Sequence, residues 1–241
     1  MILSPTQSLP LLRWDAPGPY VAAFSTRGGG VSAPPFDTLN LGRLTGDLPE
    51  NVAENRTRLC AEVGAEADKL CFGRQVHGGR VRRAEGQGKP GDGVWTDEQA
   101  RPLLVFTADC VPVALARMNG RTPAIAALHV GWRGLLAGIV ACGAAALGRG
   151  RLTAAIGPAI GPCCYEVGTN VSEPFRARFG AGVVRDGKLD LWSATEHALR
   201  TAGAVQVTRL DLCTACSPDL FFSHRRDGER TGRQGLVAYV T

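Results

Sequence analysis

The chain has 241 residues, of which 44% are hydrophobic and 20% charged, with a formal net charge of +5. This length allows one large domain or two small ones around a substantial core, and the composition is ordinary for a soluble globular protein. No dense basic run with interleaved aromatics marks a nucleic-acid surface, and no apolar run approaches the roughly 20 residues of a membrane span.

The stretch from Met1 to Pro19 is broken by prolines and lacks a charged region followed by an apolar one, so no signal peptide is expected. A cytoplasmic protein is expected instead, with its eight cysteines mostly reduced and used for packing or as ligands. Residues 20–25 read as a strand, which ends in Thr26-Arg27-Gly28-Gly29-Gly30. Asp47 followed by Pro49 opens a helix carrying Val52, Arg56, Leu59 and Val63 at helical spacing, up to Gly64. Residues 70–83 read as strand, turn and strand, with His77-Gly78-Gly79 at the bend.

Residues 103–106 form a short buried strand that runs into Thr107-Ala108-Asp109-Cys110, and a second apolar stretch follows at 111–116. Residues 124–128 form another buried strand, ending at His129. After Gly131-Trp132-Arg133-Gly134, the residues Leu135, Leu136, Ile139, Val140 and Leu147 mark one helix face, closed at Gly148. Strands are expected at 152–156, 205–212 and 235–240, and helices around Val171, Phe175 and Phe179 and over 191–199. Helices and strands alternate without a strict βαβ beat. The expected class is therefore α+β with mixed α/β layers, in a single domain spanning 1–241.

His77, Cys110 and His129 stand out as metal ligands. Imidazole and thiolate suit a borderline-soft ion such as Zn²⁺, and three protein ligands leave one coordination position open. Cys110 and His129 each follow a short apolar strand, where sites are commonly built. If those strands are neighbours, both side chains emerge at one sheet edge, and His77 leans in from its glycine-flanked bend. The other two histidines read differently: His197 as a surface residue of a helix, His224 as part of a polar loop. Cys213 and Cys216 have C-x-x-C spacing without a second such pair and read as structural. Cys163 and Cys164 are adjacent and poorly placed to bridge each other, and Cys60, Cys71 and Cys142 read as small core residues.

Several motifs occur in order: Phe24-Ser25-Thr26-Arg27-Gly28-Gly29, Asn40-Leu41-Gly42, Gln75-Val76-His77-Gly78, Thr107-Ala108-Asp109-Cys110, His129-Val130-Gly131-Trp132-Arg133-Gly134, Ile156-Gly157-Pro158, Cys164-Tyr165-Glu166-Val167-Gly168 and Phe222-Ser223-His224-Arg225-Arg226-Asp227-Gly228. This series resembles the YfiH-like family, which has been labelled both multicopper polyphenol oxidase (laccase) and purine nucleoside phosphorylase. The resemblance covers nearly the whole chain. It implies a layered α/β fold related to that of deamidating toxins, and a zinc held by His77, Cys110 and His129. It also implies phosphorolysis of adenosine, inosine, guanosine and methylthioadenosine, together with adenosine deamination.

A multicopper oxidase requires far more imidazole than four histidines provide, and Met1 and Met118 are the only candidates for a weak axial thioether. The laccase reading therefore fails on ligand count, although adventitious Cu²⁺ could occupy a zinc site. For the nucleoside reaction, Arg27 beside the glycine loop and Arg56 on the first helix are candidate phosphate contacts, with Asn40 for a sugar or base edge. Asp92 and Asp109 are candidate proton carriers. Two rival readings are a zinc-free cysteine hydrolase or deamidase using Cys110 and His129, and a peptidoglycan-precursor editing factor.

Overall fold

The computed structural model describes residues 9–119 and 122–241; the first eight residues of the Met1 to Pro19 stretch lie outside them. Two sheets form the middle of the molecule. The first has the order β1 (Leu11–Arg13), β2 (Tyr20–Ser25), β14 (Gln234–Val240) and β7 (Leu103–Thr107), with every neighbouring pair antiparallel. The second has the order β13 (Ala204–Arg209), β10 (Leu152–Ile156), β8 (Val111–Arg117), β9 (Ile125–Val130), β6 (Gly93–Thr96) and β4 (Val81–Arg83). Its outer pairs, β13 with β10 and β6 with β4, are parallel, and the inner pairs are antiparallel. Two small ribbons complete the strands: β3 (Phe72–Arg74) with β5 (Gln87–Pro90), and β11 (Val184–Arg185) with β12 (Lys188–Leu189).

The period-2 alternation of the buried strands separates the core into layers. Leu103 and Val105 of β7 face the second sheet, while Leu104 faces away from it. Between the sheets lie mainly small residues, among them Ala22, Ala114, Ala116, Ala127, Ala155 and Ala238. Their lack of bulk lets two sheets approach closely while Phe24, Trp14 and Ile125 fill what remains. Outside the first sheet, Ala23, Leu104 and Val237 pack on Leu59 and Cys60 of α1 (Pro49–Glu62). Outside the second sheet, Val113, Leu115, Ala126 and Leu128 meet the helices α3 (Ile139–Leu147), α4 (Thr169–Phe179) and α5 (Leu191–Thr201). The mixed α/β class expected from the sequence is the one observed.

Three local differences have physical causes. The helix expected from Leu135 to Leu147 is interrupted at Gly138, whose φ of 81° ends α2 (Trp132–Leu136) and starts α3. The two strands of residues 70–83 do not pair with each other, since β3 joins β5 and β4 joins β6. The stretch between them is thereby released to form a loop at the site. Cys142, expected in the core, is exposed on α3, whereas Cys60 and Cys71 are buried.

Candidate metal centre and its surroundings

Strands β8 and β9 are antiparallel neighbours, with Val111 opposite Val130 and Pro112 opposite His129. The start of one and the end of the other therefore share a sheet edge. That register brings Cys110, immediately before β8, beside His129. Strand β9 runs through His129 to Val130, two residues beyond the 124–128 expected from the sequence. His77 arrives from the β3–β4 loop, and its backbone takes the left-handed region at φ 59°. The His77, Cys110 and His129 donor atoms all lie within 4.8 Å of one another, and the two imidazole rings meet edge to face at 4.9 Å.

Glycines make this convergence possible. A Cβ on Gly131, at the start of α2, would lie 3.0 Å from the Cys110 Sγ and 3.2 Å from the His77 ring. A Cβ on Gly79 would lie 2.6 Å from the Ala137 carbonyl oxygen, so the His77 loop can rest directly on the α2 backbone.

Asp92 organises the donors. It is fully buried. Its Oδ1 accepts from the His77 N–H at 2.8 Å and from His129 Nδ1 at 2.9 Å, and its Oδ2 accepts from the Gly78 N–H at 2.8 Å. The Val76 N–H adds to both oxygens. A carboxylate accepting from Nδ1–H sets the tautomer of His129 and leaves Nε2 available as a donor to a metal. One side chain thus fixes two of the three candidate donors. Burial opposes ionisation of Asp92, but these donors hold its carboxyl below the ordinary value. With every edge occupied, Asp92 positions the donor groups rather than standing free to carry a proton.

Asp109 has a similar place behind Cys110. It takes the left-handed region at φ 88°. Its Oδ1 accepts from Thr214 Oγ1 at 2.6 Å and its Oδ2 from the Arg225 N–H at 2.6 Å. The Ile160 N–H donates to its carbonyl at 2.9 Å.

The thiol and imidazole of the centre are polarised against each other. Burial alone would raise the Cys110 pKa, but the charge and hydrogen bond of His129, with His77, bring it down to about 6. Burial alone would lower His129, but the Cys110 and Asp92 charges raise it to about 9. A soft nucleophilic thiolate at neutral pH is the preferred ligand form for zinc. Two imidazoles, one thiolate and a carboxylate behind one imidazole fit a tetrahedral zinc with one open position, and His77 is exposed on the outer side.

Around this trio lie groups that the sequence reading passed over. Tyr165 and Arg225 stack at 5.3 Å. Burial and then the Cys110 charge push the Tyr165 phenol up to about 12, while Arg225 and Arg133 oppose them. Arg233, half-buried, feels the negative charges of Asp109 and Cys110. Tyr165, Arg225 and Arg133 lie within the ordered motifs, which was their only signal; Arg233 lies outside them and carried none.

The expected substrate contacts are engaged with other parts of the protein. Arg27 pairs with Asp37 at 3.1 Å, donates to the Asp37 and Pro218 carbonyls, and lies over the Phe222 ring. Arg56 donates twice to the Leu41 carbonyl and is stacked on Phe72 and Phe106; burial, and then Arg43, lower it to about 10. Asn40 is fully buried, donating to Gly42, Thr45 and Asp47 and accepting from the Gly42 and Arg233 N–H groups. Asn40 thus shapes the loop behind Arg233 and has no face left for a ligand. His197 is exposed against the Phe179 ring, and His224 begins the short helix α6 (His224–Asp227). Two surface clefts, one between Phe72 and Lys89 and one between Pro162 and Ser193, are not lined by any of the trio.

Residues 21–241 match the family described as multi-copper polyphenol oxidoreductase laccase. The chain belongs to that family. It is 38% identical over 241 residues to the purine nucleoside phosphorylase YfiH of Escherichia coli, covering 95% of this chain and 97% of that protein. A purine nucleoside phosphorylase of Deinococcus radiodurans is 41% identical over 244 residues, covering 95% and 92%. The crystal structure of YlmD from Geobacillus stearothermophilus superimposes with a TM-score of 0.89 at 31% identity, covering 97% of each chain. A Neisseria meningitidis protein of known structure gives 0.87 at 32%, covering 97% and 99%. The family's copper label contrasts with the donors present: among the described residues, two groupings could hold a metal, and only one contains histidine.

Proposed function

We propose that this protein is a zinc-dependent purine nucleoside phosphorylase acting on adenosine, inosine, guanosine and methylthioadenosine, and that it also deaminates adenosine. The observation that carries this reading is the convergence of His77, Cys110 and His129 within 4.8 Å at a sheet edge, in a chain whose full-length relatives are named purine nucleoside phosphorylases. A cytoplasmic setting is in keeping with this reading, because the ligand thiol must stay reduced.

A zinc ion in this donor set would supply Lewis acidity and a bound water of lowered pKa. The chain's own residues do the rest. Asp92 holds His129 by Nδ1 and His77 by its backbone, so both imidazoles stay oriented when substrate arrives. Phosphate must reach C1′ of the sugar as the purine leaves an oxocarbenium-like centre. Arg133, Arg225 and Arg233 raise the local positive potential on the side of Cys110, where a phosphate is favoured. Arg27 and Arg56 flank this region from the Phe222 and Phe106 sides, and we assign them to the outer binding surface. Asn40 contributes through Arg233. The Tyr165 phenol, raised to about 12, stays protonated at neutral pH and can donate a hydrogen bond to the departing base.

The deciding experiment is incubation of zinc-loaded protein with inosine and phosphate, with free base and sugar phosphate resolved by chromatography. Both products should accumulate, and Cys110→Ala should form neither. Full phosphorolysis by Cys110→Ala would remove the metal from the reaction, and no turnover by the loaded protein would end the phosphorylase reading. Activity that survives chelation but is lost on thiol alkylation would favour the metal-free cysteine hydrolase.

A further inference from the structure

A second group of soft donors lies outside the site described above. Cys163 and Cys164 follow β10, Cys213 and Cys216 follow β13, and their sulfur atoms all lie within 4.8 Å of one another. We propose that these four cysteines form a second metal site, a tetrathiolate that takes one zinc ion and staples two loops together.

The spacing fits a tetrahedron. With Zn–S bonds of about 2.3 Å, the ligand sulfurs of a regular tetrahedral site lie roughly 3.8 Å apart. Here Cys164 and Cys216 are 3.3 Å apart and Cys163 and Cys216 3.5 Å. No pair is bonded, and a disulfide requires about 2.05 Å. The second pair missing from the C-x-x-C reading is therefore the adjacent pair Cys163-Cys164, brought in by the fold.

The backbone places these thiols. Strands β10 and β13 are parallel neighbours, and a bridge between Ala159 and Cys213 carries their pairing into the loops. The Gly161 N–H donates to the Cys213 Sγ at 3.2 Å, a bond that favours thiolate over thiol. A Cβ on Gly161 would sit 3.2 Å from the Cys163 Sγ and 2.6 Å from the Trp192 ring, so the bare glycine keeps the place open. Cys163 and Cys216 are exposed, which a packing role in the core does not require. Four protein ligands with no open position describe a structural metal, with each thiol releasing its proton to solvent as it binds.

The two loops also form the wall behind Cys110. One gives the Ile160 N–H to the Asp109 carbonyl, and the other gives the Thr214 hydroxyl to the Asp109 carboxylate. Arg225 donates to the Cys164 and Glu166 carbonyls. A metal joining them would hold Asp109, and through it Cys110, in place.

This proposal stands apart from the phosphorylase reading, so its test is metal content and spectroscopy rather than turnover. Protein purified under reductant is analysed for zinc by atomic emission. The wild type should carry two zinc ions per chain, and both Cys110→Ala and Cys216→Ser one each. Cobalt-exchanged Cys110→Ala should show the intense sulfur-to-cobalt charge-transfer bands of an all-thiolate site. One zinc in the wild type with none in Cys110→Ala would overturn the proposal, and so would reduced protein in which Cys110→Ala takes up no cobalt. If Cys216→Ser does not fold, the Cys110→Ala measurements decide alone.

Discussion

The two thiol-bearing centres lie at the same end of one sheet's strands, yet they are built on opposite plans. The trio of His77, Cys110 and His129 gathers mixed donors from three separate segments and backs them with a buried carboxylate that binds no metal itself. The group of Cys163, Cys164, Cys213 and Cys216 draws identical donors from two segments and relies on backbone N–H groups and a glycine for placement. Three donors with an exposed member leave room for a substrate; four sulfurs close around an ion and leave none. On the two proposals above, the difference would separate a metal that reacts from a metal that holds, and it locates where each centre is vulnerable.

The largest effect belongs to the ligands of the trio. Lewis-acid stabilisation worth several kcal/mol, at about 1.4 kcal/mol per tenfold, implies that phosphorolysis by His129→Ala falls by roughly a thousand-fold or more, as measured by release of free base. The Cys216→Ser chain, if folded, should lose far less. Equal losses in the two variants would erase the distinction between reacting and holding metal.

Acidity separates the centres next. Metal uptake by the trio requires Cys110 as thiolate and His129 without its proton. With Cys110 brought down to about 6 and His129 raised to about 9, one proton must leave across that window. Zinc affinity should therefore rise about tenfold per pH unit between those limits and level off above them. Cys163 and Cys164 are both pushed above the ordinary thiol value, Cys163 mainly by burial and Cys164, to about 11, mainly by its bond with Cys216. Uptake there should release at least two protons and be steeper. Chelator competition across pH in Cys110→Ala and Cys216→Ser compares the two slopes, and identical slopes would break the contrast.

Asp92 tests the support rather than the ligands. Asp92→Asn removes the charge while keeping the shape, leaves three backbone N–H groups facing a neutral amide, and no longer dictates the tautomer of His129. Losing such a partner costs about 10- to 100-fold in metal affinity, measurable by zinc titration. An unchanged affinity would mean that the strands alone orient His129.

Much of this was legible in the sequence because it is local. The apolar strands before Cys110 and His129 are visible as such, but the one before Cys110, β7, lies in the other sheet and does not pair with β9; the two residues meet because β8, which starts just after Cys110, pairs with β9. Arg27 and Asn40 were visible as polar residues near glycines and Arg56 as a residue of the first helix, but which way a side chain faces depends on partners far along the chain: Asn40 is claimed by Arg233, 193 residues away. Asp92 sits in a short glycine-flanked segment with no periodicity, so its four-way role was invisible. The four-cysteine group was hidden for the same reason. Its pairs are 52 and 53 residues apart, and only the parallel pairing of β10 with β13 brings them together. Breaks such as Gly138, where a helix turns left-handed, were ambiguous because an isolated glycine in a helical pattern is tolerated.

The smallest expected effect bears most directly on how the trio is packed. Gly131 has an extended backbone, at φ −83° and ψ 168°, that alanine adopts without strain, so Gly131→Ala probes space alone. The added methyl would meet the Cys110 sulfur at 3.0 Å and the His77 ring at 3.2 Å. Overpacking of this kind costs about 1–3 kcal/mol, but His77 is exposed and its loop can yield outward. The strain should therefore appear as a shift of His77 away from the other donors rather than as unfolding, with zinc affinity lowered about tenfold, at about 1.4 kcal/mol per decade, and thermal stability of the metal-free protein little changed. The four-cysteine group should keep its zinc in this variant. A drop in metal-free stability without any change in zinc affinity would show that His77 is clamped too firmly to yield, and that the open side of the trio is less free than its exposure suggests.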